Sequence, residues 1–364
     1  MAFKVILISK AMLVSSTHSK AELIGKFVDL TLITPFKWPY YVEEELKPPG
    51  SFKHIKVRTT LEGKNHLHFY WGIEKIIKDI NPDIVHIDEE PFSLVTGQIL
   101  RICKKLNIKT LCFTWENLFR NYPFPFNHLK QYVLNNIDYV IAGNEEAVEI
   151  VKKKGYNKNI SVIPQFGIDT TTFYPRAIKK YTVCPDFKLS VGFVGRVIEE
   201  KGIQTVINAM KNLPSVHLTI IGTGPYQTEL QKILKRNHIE NQVKFLGGVS
   251  STDVAEHIAS FDTLILPSLT GKKWKEQFGR VLPEAMACKV AVIGSSSGEI
   301  PNVIGNAGLV FEEGNVAECK KCINSLLNSE TLHTYQEKGY QRALAYYTQE
   351  SIVDQTIKVY KEIV

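Results

Sequence analysis

Residues 189–211 read LSVGFVGRVIEEKGIQTVINAMK and decide the class of fold. An apolar run leads up to Val194, glycine follows it, and apolar residues then recur at helical spacing from Ile203. Such a run, ended by a glycine turn, predicts a strand buried on both faces, and the segment after it predicts a helix. The stretch therefore predicts one strand–helix unit of a parallel α/β sheet.

The same alternation runs through both halves of the chain. The predicted strands are KVILI, LTLIT, DIVHI and KTLCFT in the first half and LSVGFVG, VHLTIIG, VKFLG, TLILP and VAVIG in the second. Helical spacing is found over 19–27, 68–80, 92–106, 203–211 and 226–238. Because a domain usually holds about 100 to 200 residues, the 364 residues predict two Rossmann-like α/β domains.

A segment with little apolar periodicity separates the two sets of strands. It reads ISVIPQFGIDTTTFYPRAIKKYTVCPDF and contains three prolines. We expect a first domain at 1–170, a linker at 171–187 and a second domain at 188–346. Apolar residues return at helical spacing near the end of the chain, which predicts a terminal helix within 347–364.

Composition limits the class of protein. Hydrophobic residues at 44% and charged residues at 22% are typical of a globular chain and exclude disordered or fibrous proteins. The N-terminal apolar run lacks the features of a secretory signal, and no run reaches the ~18 apolar residues of a membrane span. Six scattered cysteines do not resemble a disulfide framework, so a cytoplasmic protein is expected.

The excess positive charge lies in the first half of the chain. The net charge is +7, and residues 1–180 contain 25 Lys and Arg against 18 Asp and Glu. This bias is typical of simple solubility, but it also suits an anionic partner such as a membrane surface or a phosphate-bearing acceptor. No zinc-finger spacing, RNP-type motif or basic heptad region is present, so nucleic acid is not an expected partner.

The segment EQFGRVLPE, from Glu276 to Glu284, is the most specific motif. Pro283 lacks a backbone N–H and is tolerated only in the first turn of a helix, which places a helix start just before it. The amides from Phe278 to Val281 would then lie at a positive helix end that suits phosphate, and Gly279 would let the backbone approach a ligand. The two glutamates suit sugar hydroxyls; a capped helix with ordinary surface carboxylates is the alternative.

Further loops follow predicted strands, at the edge where parallel sheets bind ligands. Arg196 offers a planar fork to phosphate oxygens, and Lys201 offers a mobile point charge. Gly222 and Gly247 follow the next two strands and would line a nucleotide cleft with backbone groups. Taken singly, each of these loops is more typical of a plain solvated turn.

In this order, the segments resemble the family 4 retaining glycosyltransferases, which have the two-domain GT-B architecture. The Glu-x7-Glu pair carries the resemblance, supported by GRVIEEKG at 195–202 and VIPQFGID at 162–169. The resemblance implies two Rossmann-like domains facing a central cleft and a C-terminal helix that crosses back to the first domain. It also implies a nucleotide-sugar donor held mainly by the second domain.

The resemblance assigns roles to individual residues. Arg196 and Lys201 would contact the diphosphate, Glu276 the hydroxyls of the transferred sugar, and Glu284 the ribose. Arg196, Lys201 and Glu276 are therefore the expected catalytic residues of the second domain. The full set of implied donor-binding residues is Arg196, Lys201, Gly222, Gly247, Glu276, Phe278, Gly279, Arg280, Val281 and Glu284.

The first domain departs from the family pattern. SKAMLVSSTHSK follows its first strand without the glycines that relatives often have there. His86 is expected on the acceptor side, with a buried hydrogen-bonding histidine as the alternative. Where many relatives have a histidine near the reacting centre, Glu116 is the expected catalytic group, with a helix cap by Asn117 as the alternative. Aromatic and basic candidates for the acceptor side are Trp38, Tyr40, Tyr41, Trp115, Arg120 and Tyr122.

No metal and no cofactor are expected. Arg196, Lys201 and a helix end would stabilise the leaving diphosphate without a metal ion. The side chains of Asp88–Glu90 diverge, and the following helix dipole explains these acids better than a metal does. Cys319 and Cys322 form a single CxxC without the second pair that a zinc site needs, and we interpret them as residues of an amphipathic helix.

Together these features predict a retaining glycosyltransferase that moves a sugar from a nucleotide-sugar donor to a glycan or lipid-linked acceptor in surface polysaccharide or glycolipid biosynthesis. No enzyme nucleophile is evident, which favours front-face attack by the acceptor. Peripheral contact of the basic first domain with the inner face of an anionic membrane is also expected. A nucleotide-sugar epimerase and a noncatalytic sugar-nucleotide binding protein are the alternatives.

Overall fold

The chain folds into two compact units. The computed structural model describes residues 3–13, 17–39, 50–176 and 187–364. The first unit consists of residues 1–167 and 349–364, and the second consists of residues 168–348. The chain thus enters the second unit after Gly167 and returns to the first after Thr348.

A seven-stranded parallel sheet organises the described part of the first unit. Its strands are β1 (Lys4–Ile8), β2 (Asp29–Pro35), β3 (Phe52–Val57), β6 (Ile84–Ile87), β7 (Lys109–Thr114), β8 (Tyr139–Ala142) and β9 (Ile160–Val162), and β4 (Thr59–Thr60) pairs with β5 (Phe69–Tyr70) in a separate antiparallel ribbon. Its helices are α1 (His18–Gly25), α2 (Ile73–Ile80), α3 (Leu94–Leu106), α4 (Phe126–Asn136), α5 (Glu145–Lys153) and α13 (Gln349–Ile363). The strand order is β3-β2-β1-β6-β7-β8-β9, so the topology switches direction between β1 and β6.

A six-stranded parallel sheet organises the second unit, with the order β12-β11-β10-β13-β14-β15. Its strands are β10 (Leu189–Val194), β11 (Val216–Ile221), β12 (Val243–Gly247), β13 (Thr263–Leu266), β14 (Ala291–Ser295) and β15 (Leu309–Phe311). Its helices are α6 (Ile203–Met210), α7 (Gln227–Asn237), α8 (Ser251–Ala259), α9 (Val281–Ala287), α10 (Ile300–Ile304), α11 (Val316–Ser325) and α12 (Ser329–Tyr346), with 3-10 turns at Glu199–Lys201 and Glu240–Gln242.

The central strands are buried on both faces, as their continuous apolar sequences predict. Every residue from Val5 to Ile8 is inaccessible to solvent, and all of β11 is buried. Helices therefore cover both faces of each parallel sheet. This confirms the predicted α/β class with two parallel-sheet units.

The helix predicted over 68–80 begins later than expected. Phe69–Tyr70 forms β5, and α2 starts at Ile73 after Gly72, which has a left-handed φ of 67°. Apolar residues at helical spacing also fit a short aromatic strand, and only the pairing of this segment with β4 decides between the two. The prediction was therefore wrong for the first part of this segment.

The predicted linker is described only in part. Ile168 and Phe173 are buried in the core of the second unit, so residues 168–176 belong to that unit. Residues 177–186 of the predicted linker lie outside the described residues. The terminal helix α13 packs against α1 in the first unit, as the crossing back predicts.

Two findings concern the membrane and the cysteines. Among the described helices, none combines the length and the apolar character needed to cross a membrane. The described cysteines are free thiols, and Cys184 lies outside the described residues. Cys319 and Cys322 lie on α11, as interpreted from the sequence.

Candidate donor and acceptor sites

Loops that follow β10, β13 and β14 are joined at the carboxyl edge of the second sheet. The amide of Leu269 donates a hydrogen bond of 2.7 Å to the carbonyl of Glu200. The amide of Glu299 donates one of 3.2 Å to the carbonyl of Glu276. Parallel strands bring their carboxyl ends to one edge, so loops far apart in sequence build a common site there.

The Glu276 carboxylate lies at the centre of this site. Its Oε2 is 2.5 Å from Lys201 Nζ and accepts a hydrogen bond of 2.8 Å from Ser268 Oγ. The carbonyl of Ser268 in turn accepts a bond of 2.5 Å from Ser295 Oγ. Glu276 is 9% exposed. The two residues expected on the sugar and on the diphosphate therefore contact each other directly.

Lys201 is held by its local backbone as well as by Glu276. It closes a 3-10 turn that ends at Gly202, where φ is 68°. A Cβ at Gly202 would lie 1.9 Å from the carbonyl oxygen of Pro267, so only glycine lets these two loops approach this closely. The Lys201 ammonium also lies 5.0 Å from the ring centre of Trp274.

Arg196 differs from Lys201 in its surroundings. It is exposed in the loop after β10 and forms no ion pair within the described part of the chain. Its guanidinium is therefore available for an anion without breaking an internal contact.

Glu284 and Arg280 form a second charged pair. Arg280 Nε lies 2.8 Å from Glu284 Oε1. Glu284 is largely buried in the first turn of α9, and burial raises the pKa of its carboxyl to about 7, against the opposing effect of Arg280. Pro283 lies in the first turn of α9, as predicted.

Two predicted donor glycines have a structural role in the ligand-free fold. A Cβ at Gly222 would lie 1.9 Å from the carbonyl oxygen of Gly195, so its absence lets neighbouring loops pack backbone to backbone. A Cβ at Gly279 would lie 2.7 Å from Leu266 Cδ2, which means that it would point toward the core and not toward a ligand. Gly247 has open space around its Cβ position. Packing thus gives a reason for glycine at 279, and the approach of its backbone to a ligand stays a prediction.

The backbone segment before α9 is anchored by side chains. The Phe278 ring packs edge-on against Tyr347 at 5.8 Å. Val281 also packs partly against the core of the second unit. The part of this segment expected to approach phosphate and sugar is thus its backbone, because these two side chains are turned to the core.

In the first unit, polar side chains follow several strands at the carboxyl edge of the sheet. Asp88 accepts a hydrogen bond of 2.6 Å from Ser9 Oγ, and Glu89 is ion-paired with Lys10. Glu90 accepts bonds of 2.6 Å from Thr114 Oγ1 and 2.8 Å from the amide of Trp115. Because α3 starts only at Leu94 and has no acid in its first turn, the helix dipole does not explain these acids. Each carboxylate has its own partner instead.

Several buried polar atoms around Glu89 have no hydrogen-bond partner among the described residues. They are both ring nitrogens of His68, the hydroxyl of Tyr70 and Oε1 of Glu89. Burial lowers the pKa of His68 to about 3, with a further contribution from Lys10. Unpaired buried polar atoms are rare, and a group of them is normally satisfied by water or a polar ligand.

Glu116 is the anion of a buried ion pair. It contacts Lys130 from α4, and the two side chains are 4% and 1% exposed. The Lys130 ammonium also lies over the stacked rings of Phe92 and Tyr122. Asn117 caps no helix, because α4 begins at Phe126. The structure thus gives Glu116 an internal partner. Its direct role in catalysis stays a prediction.

Other acceptor candidates are placed differently from each other. His86 is buried and its Nδ1 lies 2.8 Å from the Tyr360 hydroxyl on α13, as the structural alternative predicts, and its role on the acceptor side stays a prediction. Trp38 is also buried, edge-on to His68. Trp115 is half-buried, with Nε1 donating to Gln165 at 3.0 Å, while Arg120 is exposed. Tyr40 and Tyr41 lie outside the described residues.

Comparison with known proteins identifies the family. A model described as Glycosyltransferase Family 4 matches residues 20–172, and one described as Glycosyl transferases group 1 matches residues 176–342. The two matches follow the two units and cover most of the chain. The chain belongs to glycosyltransferase family 4.

Two curated relatives illustrate the range of this family. The N-acetyl-alpha-D-glucosaminyl L-malate synthase of Bacillus anthracis is 30% identical over 65% of this chain and 63% of its own length. The gpi3 subunit of the phosphatidylinositol N-acetylglucosaminyltransferase of Schizosaccharomyces pombe is 25% identical over 81% of this chain and 64% of its own length. This family 4 chain thus spans less than two thirds of the length of either relative.

Solved structures share the GT-B fold of this family 4 chain. Sucrose-phosphate synthase from Thermosynechococcus elongatus has a TM-score of 0.74 at 17% identity, covering 99% of this chain and 98% of that one. Anabaena HepE, solved in complex with UDP, has a TM-score of 0.74 at 16% identity, and each chain is covered completely (100%). At such identities the likeness concerns the fold.

Sequence reasoning missed two residues of this site, Ser268 and Trp274. Ser268 follows the predicted strand TLILP directly, so its position at a strand end was a usable signal. Trp274 precedes Glu276 by two positions, but its contact with Lys201 depends on how two loops meet. Among the described residues, no group of three or more His, Cys, Asp or Glu is placed to hold a metal ion.

Proposed function

We propose that this family 4 chain transfers a sugar from a nucleotide-sugar donor to a hydroxyl-bearing acceptor in glycan or glycolipid biosynthesis. The cluster of Lys201, Glu276 and Ser268 carries the proposal, together with the exposed Arg196 in the same loop as Lys201. It combines cations suited to a diphosphate with a fixed carboxylate suited to sugar hydroxyls. The activities of the two relatives support the same class of reaction.

In this proposal each residue has a distinct task. Arg196 binds the diphosphate with its free guanidinium, and Lys201 adds its ammonium. Both stabilise the negative charge that develops on the leaving group, where fixed charges are most effective. Glu276 accepts hydrogen bonds from the transferred sugar, and Ser268 keeps its carboxylate in place. The neighbour HepE was solved with UDP and with UDP-glucose, which favours UDP as the first nucleotide to test.

We place the acceptor at the carboxyl edge of the first sheet. The atoms of His68, Tyr70 and Glu89 that lack a hydrogen bond suit hydroxyl groups, which donate and accept hydrogen bonds. The Glu116–Lys130 pair lies at the same edge and would bind or orient the acceptor. We propose that the acceptor hydroxyl attacks the donor sugar from its front face, so that the configuration at the anomeric carbon is retained. The relatives' names include malate and phosphatidylinositol, so the acceptor class is tested with both glycosides and anions.

Arg196→Ala is the test of the donor site. We expect at least a tenfold loss of UDP affinity, about 1.4 kcal/mol, and loss of transfer from UDP-sugars. The unfolding temperature without ligand should not change, because Arg196 has no ion pair to lose. Arg236→Ala, an exposed arginine on α7, is the matched control. Wild-type affinity in Arg196→Ala would contradict the assignment.

Substitution of Glu276 affects both stability and function, whereas substitution of Arg196 is expected to affect function alone. Removal of Glu276 would leave Lys201 largely buried without its carboxylate, which costs stability as well as function. A decrease in unfolding temperature is therefore expected for Glu276→Ala. Glu276→Gln keeps the shape and should lose transfer with a smaller effect on unfolding.

Acceptor dependence separates the competing functions. A transferase turns over a UDP-sugar quickly only when an acceptor is present. An epimerase would convert the donor without any acceptor, and a noncatalytic binding protein would bind the donor without transfer. Product analysis of UDP-sugar mixtures with and without acceptor glycosides distinguishes the three.

We also propose a peripheral contact of the first unit with anionic lipid. The residues of this unit, 1–167 and 349–364, contain 24 Lys and Arg against 20 Asp and Glu, and this positive net charge supports it. Sedimentation with phosphatidylcholine vesicles, with and without phosphatidylglycerol, tests the proposal. Binding should require the anionic lipid and weaken as salt is raised; indifference to lipid charge would contradict it.

A further inference from the structure

We infer that Trp274 is a positioning residue of the donor site, whose ring holds the Lys201 ammonium beside Glu276, ready for the diphosphate. The inference rests on the proposed donor-binding function of this site. It adds a residue type that neither the family motif nor the charge pattern of the chain identifies. All the residues involved belong to the second unit.

Two contacts restrain the Lys201 ammonium within the described part of the second unit. Glu276 Oε2 is 2.5 Å from Nζ, and the Trp274 ring centre is 5.0 Å from it. The side chains of Lys201 and Glu276 are only 14% and 11% exposed. The main chain at Trp274 is restrained as well, because the amide of Gly271 donates a hydrogen bond of 2.8 Å to the carbonyl of Trp274.

Donor binding changes the anion that pairs with Lys201, but the ammonium must be held in the same position before and after binding. A diphosphate competes with Glu276 for the ammonium, and Glu276 is then free to accept sugar hydroxyls. The attraction between the ammonium and the Trp274 ring does not depend on which anion lies on the other side. The ring therefore holds the Lys201 side chain both before and after the donor binds. Because the side chain is already restrained, less conformational entropy is lost on binding.

A matched lysine elsewhere in the second unit provides the control. Lys289 Nζ lies 2.7 Å from Glu337 Oε2 and 4.9 Å from the ring centre of Tyr340, so it has the same two kinds of partner. Its side chain and that of Glu337 are 42% and 41% exposed. This triple is formed by α12 and the turn after α9, away from Lys201 in sequence and outside the proposed donor site.

Calorimetric titration of Trp274→Leu with UDP tests the inference. We expect UDP affinity to fall three- to tenfold, Trp274→Phe to recover most of it, and Tyr340→Leu to bind UDP like wild type. Affinity for uridine, which has no phosphate, should be equal in all four proteins. If Trp274 had only a structural role, Trp274→Leu would lose affinity for uridine as much as for UDP. That result would overturn the positioning role.

Tryptophan emission gives a second readout. UDP should change the emission of the wild-type protein, because it alters the charge next to the Trp274 ring, and Trp274→Phe should lose that change. A full UDP response in Trp274→Phe would contradict the inference. If wild type binds none of UDP, GDP and ADP, the proposed function fails and the inference with it. If wild type binds one of them and Trp274→Leu binds it equally well, only the positioning role fails.

Discussion

Glu284 is the residue whose ionisation most clearly links the site to stability. Burial raises the pKa of its carboxyl to about 7 from an ordinary value of 4.5. The folded protein therefore binds this proton more tightly than the unfolded chain does. Stability should fall as the pH rises from 4.5 to 7, and above pH 7 the cost of the buried charge is complete.

Glu284→Gln should remove this cost. At pH 8 the variant is expected to be more stable than wild type by up to about 3 kcal/mol, and the difference should vanish near pH 4.5. Urea unfolding at pH 5, 6, 7 and 8 measures it. Glu240→Gln, at an exposed position, is the control. Equal stability of Glu284→Gln and wild type at every pH would show that the carboxyl does not carry a buried charge.

Ser268→Ala should impair transfer by releasing Glu276. The Ser268 hydroxyl is buried and donates a bond of 2.8 Å to Oε2 of that carboxylate. A hydrogen bond to a charged group contributes about 1.5 to 3 kcal/mol, so kcat should fall about 10- to 100-fold. Ser260→Ala removes an equally buried hydroxyl that bonds to a helix carbonyl, and should leave kcat unchanged. Equal rates in both variants would exclude a positioning role for Ser268.

Residue-level inference reached the members of the donor site but not their mutual contacts. Glu276 and Lys201 were predicted from motif spacing, because strand ends share one edge of a parallel sheet. Their direct pairing across 75 positions depends on loop conformations that no local pattern encodes. The contact of His86 with Tyr360 was not predictable either, because Tyr360 lies on α13, from the opposite end of the chain.

At the scale of elements, the loops of the second unit pack backbone to backbone. The prediction of strands succeeded because buried parallel strands have continuous apolar sequences. The prediction for residues 68–80 was wrong in part because the sequence of this segment fits a helix and a strand equally well. Only its pairing with β4 decides between them. Glycines were recognised as turn formers, yet whether each one faces a ligand or another loop was beyond the sequence.

Gly222→Ala and Gly247→Ala should separate these two kinds of glycine. The first adds a Cβ 1.9 Å from the Gly195 carbonyl oxygen at a φ of 126°, and should cost at least about 3 kcal/mol of unfolding free energy. The second adds a Cβ in open space at a φ of 76° and should cost about 1 kcal/mol. Thermal and urea unfolding of both variants measure the contrast. Similar losses in the two would mean that the loops after β10 and β11 separate easily.

At the scale of the whole molecule, the order of the chain and the membership of the units do not coincide. The last helix belongs to the first unit, although it follows the second in sequence. Its apolar face was predictable from helical spacing, whereas its partner came only from the family resemblance. Tyr360, Ile352 and Val353 of this helix are buried in the core that also contains β1 and β2.

Removing residues 349–364 should therefore destabilise the first unit and spare the second. The deletion uncovers several fully buried apolar side chains, each contributing about 1.5 to 3 kcal/mol, while residues 168–348 keep their own sheet and core. Hydrogen exchange resolved by segment should show faster exchange in β1 and β6 and unchanged exchange in β10 and β13. Tyr360→Phe is the milder variant: it leaves His86 Nδ1 without its partner, and should cost about 1 to 3 kcal/mol. Equal protection of β1 and β6 with and without the terminal helix would mean that α13 adds nothing to the stability of the first unit.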